Sequence, residues 1–268
     1  MLCLTLAAVL LAAMLGGCAQ NAADDGAEAT VTTKETTTET TTETTTEDLS
    51  TTFPSNERVY VYTGLDKGDS DNYPYKLAEY STHYNPNNET RTHNVRTAAE
   101  KVDYIVVPSG GVFSFNQVVG KRTVIAGYEE ASVIKDGEFV DGLGGGVCQT
   151  SSTIFEAVLR ANCKIVERHA HSLKVSYVPL GGDATVSWGS QDFQFKNTLD
   201  TDIMLLMSCS DGTLTCSVWA KDDVDVGDVT IEIGPSGDGY LLTRKVDGEK
   251  NYDTKSKYGE PKTTEAAG

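Results

Sequence analysis

Positive charge is in short supply in this sequence. Its 268 residues carry 22 Lys and Arg against 39 Asp and Glu, a formal net charge of -17. Such a chain repels phosphate backbones and anionic surfaces, which argues against nucleic acid, anionic lipid or teichoic acid as a partner. No run of bases interleaved with aromatics argues otherwise. Cysteine is scarce too: six among 268 residues is far below the density of small disulfide-stapled scaffolds. Long apolar runs are missing as well, since the stretch within residues 1–18 is too short for a comfortable membrane span. No internal repeat is visible.

The N-terminus has instead the length and character of a signal-peptide core. It ends in Leu15-Gly16-Gly17-Cys18, and small residues ahead of a cysteine are what a bacterial lipoprotein signal peptidase requires. Residues 1–18 are therefore expected to be a lipoprotein signal, with Cys18 as the lipid-anchored terminus. No Lys or Arg precedes the apolar run, and an ordinary signal peptide with an incidental Cys18 is the alternative. Residues 19–53 are dominated by Thr and Glu and have too little apolar surface to offset the entropy of ordering, which predicts a disordered, self-repelling tether. Residues 54–250 suffice for one domain with its own core. Residues 251–268 are polar and read as a loose tail.

Within the domain, a helix is expected over 92–101, with Thr or Asn capping. Asp136-Gly137 marks a tight hairpin between strands at 132–134 and 138–140. Further short strands are predicted at 57–63, 77–84, 104–107, 164–168, 173–177, 184–188, 193–195, 203–207, 214–219, 230–233 and 240–246. With strands predominant and no clear parallel crossover, the pattern predicts an α+β fold, mostly antiparallel with a few short helices. Cys209 and Cys216 flank a turn and could face each other as a disulfide. Cys163 reads as a small buried hydrophobe.

The chain changes character at Asp141-Gly142-Leu143-Gly144-Gly145-Gly146-Val147-Cys148. Ile154, Phe155, Val158 and Leu159 then recur at helical spacing, with polar residues between. A glycine-rich loop thus delivers Cys148 to the start of a helix running to about 162. That position suits a nucleophile. The helix dipole and free N–H groups favour a thiolate. Gly145 and Gly146 let a substrate approach, and the N–H groups of Cys148 and Gln149 could hold an oxyanion. The bland alternative is a buried cysteine beside a tight turn. A thiol nucleophile also asks for a base. His169 and His171 alternate about twenty residues on, and Asp183 could orient an imidazole. Two ordinary strand histidines, or a metal site with Cys148, are the other readings of that pair.

The segment Gly144-Gly145-Gly146-Val147-Cys148-Gln149-Thr150-Ser151-Ser152-Thr153 resembles the central signature of the VanW-like family of Gram-positive cell envelopes. Phe113-Ser114-Phe115-Asn116, Val119-Gly120, Arg122-Thr123, Gly127-Tyr128 and Ala131 match its N-terminal part. Arg168, His171-Ser172, Tyr177-Val178-Pro179, Gly182-Asp183-Ala184-Thr185-Val186, Asp192-Phe193, Phe195 and Asn197 match its C-terminal part. The likeness runs in order from about 81 to 220. One departure is Ser109-Gly110-Gly111, where the family usually has Pro-Gly-Glu.

The resemblance implies L,D-transpeptidation of peptidoglycan, with stem peptides as partners, no cofactor, and a site outside the membrane facing the wall. Cys148 would be the nucleophile, with His171 moving the proton. Arg122 or Arg168 would meet the stem carboxylates, although a structural ion pair is the other reading of each. A cysteine peptidase of the same bonds and a non-catalytic wall-binding or scaffold module are the competing functions.

Overall fold

The structure is a computed structural model that describes residues 67–262. The signal, Cys18, the tether and the strand expected over 57–63 lie outside the described residues. Within them the fold is α+β, and every pairing between its named strands is antiparallel.

Strand β1 (Tyr75–His83) leads through Pro86-Asn87-Asn88 into α1 (Glu89–Val102). The Asn88 side chain accepts from the Arg91 N–H at 3.2 Å, so the cap sits earlier than the pattern alone suggested. Next come β2 (Ile105–Val107), β3 (Val112–Ser114) and the short α2 (Phe115–Val119). The hairpin of β4 (Glu130–Lys135) and β5 (Glu138–Leu143) turns at Asp136-Gly137, both at positive φ as a type I′ turn requires. Helix α3 (Val147–Arg160) is followed by β6 (Lys164–Glu167), a long irregular stretch, and β7 (Gln194–Lys196). Then follow β8 (Ile203–Ser210), β9 (Thr213–Ala220), β10 (Val229–Ser236), β11 (Gly239–Val246) and β12 (Glu249–Ser256).

These strands form a four-stranded sheet ordered β1-β9-β8-β2, a β3-β7-β6 sheet, the β4-β5 hairpin and a β10-β11-β12 meander. Helix α3 lies on β1 and β9, and α1 on β8. Between the layers Phe113 stacks on Phe195 at 5.0 Å, and Phe155 meets Phe193 edge-on at 5.7 Å. All four rings are fully buried, each contributing about 1.5–3 kcal/mol.

Helix α3 is not amphipathic in the expected sense, because every residue from Gln149 to Leu159 is buried. Its polar side chains are absorbed by local bonds. Ser152 Oγ donates to Cys148 O at 2.7 Å and Thr153 Oγ1 to Gln149 O at 2.7 Å, while Ser151 Oγ reaches across to Ala184 O at 2.6 Å.

Several expectations are corrected. Segments 173–177 and 184–188 form no named strand, only single bridges such as His169 with Thr185. There the backbone bonds to side chains: the Ala184 N–H donates to Ser152 Oγ at 2.9 Å. The tail expected to be loose from 251 completes β12 as far as Ser256, paired with β11. Its alternating contacts, not its polarity, decide that. Cys209 and Cys216 are free thiols. Asp211 and Gly212, both at positive φ, make a two-residue turn that fixes the register. Cys209 then faces Leu214, and Cys216 faces Met207. Cys163 is fully buried in the core.

Candidate functional site

Cys148 is the second residue of α3, whose N-cap Gly146 sits at φ 109°, a left-handed conformation that favours glycine. At Gly145 the constraint is space: a Cβ there would lie 2.6 Å from backbone atoms of Ala131 and Ser132. The loop is therefore pressed onto β4, and its position is set by backbone-to-backbone contact. Gly145 O also accepts from Asn94 Nδ2 at 3.0 Å.

Three chemistry-bearing residues converge at this helix end. His171 stands beside the Cys148 thiol, close enough for each to shift the other's pKa, and both line the same cleft. On its other side His171 Nδ1 bonds Asp183 Oδ2 at 2.6 Å, and the His171 N–H donates to the same oxygen at 2.7 Å. Asp183 is fully buried and more heavily bonded still. Its Oδ1 accepts from Arg168 Nη2 at 3.1 Å and from the Tyr258 hydroxyl at 2.5 Å. Burial alone would raise its pKa; His171, Arg168 and Tyr258 outweigh that and hold it below the usual carboxylate value.

The same opposition acts on the other two. Burial pushes the Cys148 thiol up, but bonding to His171 and its positive charge, with Val186 O and Thr185, bring it down to about 7. Burial pulls His171 down, but the bond to Asp183 and the neighbouring thiolate push it up to about 9. Between those values the pair rests as thiolate and imidazolium. Thr185 Oγ1 stands 3.6 Å from Cys148 Sγ, and Val186 O stands 3.5 Å away. Tyr177 OH is 3.5 Å from His171 Nε2, and burial raises its pKa well above the ordinary value, so it stays protonated.

Cys148 and His171 line a cleft of about 1540 Å³, walled by the β4–β5 hairpin, the N-terminal part of α1 and the segments around 172–177 and 185–191. Not every expected residue faces it. His169 bonds Glu167 Oε1 at 2.8 Å and does not join the cysteine, because strand geometry ends at Glu167 and the alternation with His171 is lost. Arg168 does not reach the cleft either. Its side chain is 2% exposed and serves Asp183, with Nε donating to Asp183 O at 2.6 Å. The Gln149 N–H is bonded to Gly146 O at 2.9 Å, and its side chain is clamped by Thr82, His83 and Arg91, so it is not a spare oxyanion donor. The Cys148 N–H has no bonded partner among the described residues, and it remains the donor beside the thiol. Arg122 does line the cleft, bonded to Asn116 Oδ1 at 2.8 Å.

Residues 90–219 match the family model described as VanW like protein. Over that stretch the chain carries a VanW-like domain. Among its relatives, the uncharacterized protein YoaR of Bacillus subtilis is 43% identical over 150 residues, 56% of this chain and 50% of that relative. The Vancomycin B-type resistance protein VanW of Enterococcus faecalis is 27% identical over 137 residues, 49% of this chain and 50% of that relative. The chain thus spans about half the length of the curated relatives it matches. No solved structure matches it. The VanW-like stretch contains Cys148, His171 and Asp183 but ends before the β10–β12 meander and Tyr258. Tyr258 lay in the segment read as tail, and nothing in its sequence neighbourhood marks it. Thr185 and Tyr177 did stand inside the family-like blocks, but their hydroxyls acquire meaning only beside Cys148 and His171.

Proposed function

We propose that this VanW-like chain is a cysteine acyltransferase of the cell wall, an L,D-transpeptidase joining peptidoglycan stems by 3-3 cross-links. The observation that carries the reading is the Cys148–His171–Asp183 arrangement at a helix N-terminus in an open cleft. In the first step the Cys148 thiolate attacks the carbonyl carbon of the third stem residue. The oxyanion that forms is held by the Cys148 N–H. Imidazolium at His171 gives its proton to the departing amine of the terminal D-residue, and a thioester is left on Cys148. The amine of a neighbouring stem then attacks the thioester. His171 takes the amine proton, the C–S bond breaks, and the thiolate returns as the new amide forms. Asp183 stays ionised throughout and orients the imidazole. A relative named for vancomycin resistance fits a role in the envelope.

The same proposal places the domain outside the membrane, held by a lipid at Cys18 and spaced from it by residues 19–53. Metabolic labelling with a fatty acid should mark the wild type and not Cys18→Ser; equal labelling of the two defeats the anchor.

The test of the chemistry is incubation with disaccharide-tetrapeptide muropeptides, read by mass spectrometry, with Cys148→Ala alongside. The expected product is a dimer lacking one terminal D-residue, absent with the variant. Loss of that residue without a dimer makes the chain a peptidase. Untouched substrate with both natively folded proteins makes it a binding module.

A further inference from the structure

The acidity of the whole chain is reversed inside the cleft. Six Lys and Arg side chains line it, against Asp136 as the single acid. Lys174 and Lys257 are paired outside it, with Glu260 at 2.8 Å and with Asp238. Lys121 and Lys135 are exposed on its rim. Arg91 and Arg122 are different: both are half-buried, and both lie against the glycine loop that precedes Cys148. A Cβ on Gly144 would come within 2.8 Å of Arg122 Cγ, and one on Gly146 within 3.1 Å of Arg91 Cγ. The loop is bare where the two arginine stems pass.

Neither guanidinium meets a carboxylate among the described residues. Arg91 Nη2 donates to Gln149 Oε1 at 3.0 Å, and the group lies 6.0 Å from the Tyr177 ring centre. Arg122 Nη1 donates to Asn116 Oδ1 at 2.8 Å and to Gly120 O at 2.9 Å. Neutral oxygens fix the direction of each fork. The charge of buried Asp192 does act on Arg122, but that carboxylate is bonded to the Ser114 hydroxyl and the Asn116 N–H and forms no ion pair with the guanidinium. Burial lowers the Arg122 pKa, and the nearby Cys148 thiolate acts against that. That thiolate is already balanced by His171. The remaining N–H groups of two planar forks match two carboxylates in two-point bonding.

We propose that Arg91 and Arg122 form a paired clamp for a peptide that carries two free carboxylates close to the bond Cys148 attacks. The position of that bond rests on the transpeptidase reading; the clamp itself does not. Two separate forks, each held by a neutral acceptor, suit two planar carboxylates better than a run of phosphodiesters. The consequence is selectivity: stems whose carboxylates are amidated are poor ligands.

The test is calorimetric titration of full-length Cys148→Ala with three versions of one synthetic tetrapeptide: both acids free, one amidated, both amidated. The free diacid should bind, and each amidation should weaken it about tenfold or more. Arg91→Gln and Arg122→Gln should each weaken the diacid by a similar factor while leaving the diamide unchanged. Equal binding of diacid and diamide overturns the clamp, and that comparison needs no arginine variant to fold. Tighter binding of a glycerol-phosphate oligomer than of the diacid overturns it too, in favour of a phosphodiester ligand. Because binding is read on an inert variant, absence of turnover in the wild type defeats the enzyme reading and leaves the clamp standing.

Discussion

At Cys148 and His171 the local electrostatics make a measurable statement. Burial by itself would leave the thiol above its ordinary value of 9.0, yet the site brings it to about 7. His171, its partner, is carried from 6.5 to about 9. The thiolate needed for attack therefore grows in as pH rises through about 7, and the imidazolium needed to protonate the leaving amine is lost as pH rises through about 9. Acyl transfer should follow a bell with limbs near those values. A check independent of turnover is the pH profile of Cys148 alkylation by iodoacetamide. The wild type should show a midpoint near 7, and His171→Gln should move it above 9.0. An unmoved midpoint in the variant would remove His171 from the site. The pairing was half legible beforehand. Cys148 and both histidines stand out by type and spacing, but only the fold separates His171, which meets Asp183, from His169, which meets Glu167.

The element that matters most is the loop feeding α3. Its glycines have different tasks: a left-handed cap at Gly146, backbone contact with β4 at Gly145, and room for an arginine stem at Gly144. Gly145→Ala places a methyl 2.6 Å from the Ala131 and Ser132 backbone, where no rotamer change can relieve it. The variant should lose about 2 kcal/mol or more, seen as a lower Tm in thermal unfolding. An unchanged Tm would mean that the hairpin yields freely there. Glycine density in the sequence did point to this loop. It did not separate the three causes, since strand contact and arginine packing come from residues far along the chain. The irregular stretch from 168 to 193 shows the reverse failure. Its apolar alternation suggests strands at 173–177 and 184–188, but neither forms a named strand, and at Ala184 the backbone N–H and C=O are taken by Ser152 and Ser151 of α3 instead of a ladder.

Taken whole, the molecule closes its site with parts that lie outside the VanW-like stretch. Tyr258 donates to Asp183, the Gly259 N–H to Ser172 O at 2.7 Å, and the Lys262 N–H to Gly137 O at 3.3 Å at the hairpin tip. Arg244 reaches from β11 to the carbonyls of Leu159, in the last turn of α3, and of Cys163, just beyond it, at 3.2 Å and 2.7 Å. Removal of residues 257–268 should leave the β10–β12 meander folded. Amide exchange should then quicken at 171–173 and at 136–138 in the hairpin tip, while α3 keeps its protection. Unchanged exchange at both places would show that the C-terminal segment ties nothing down. Charge follows the same division of scales. Net charge is a sum over the whole chain and says nothing of the cleft, whose six cations come from five separate points of the chain.

By itself the sequence determined the features that depend on neighbours along the chain. These are the α+β, mostly antiparallel class, the Asp136-Gly137 hairpin, the cysteine at the start of a helix, and the VanW-like domain. Turn chemistry, capping and short-range periodicity act within a few residues and are written there. Only the tertiary structure decided which histidine faces Cys148, and that Arg168 is paired with Asp183 while Arg91 and Arg122 enter no ion pair among the described residues. It also decided that residues 249–262 are a strand and a tie, and that Cys209 and Cys216 stand two residues out of register with each other. Each of these depends on which distant groups share a buried space, and burial sets both the pKa values and the hydrogen-bond partners.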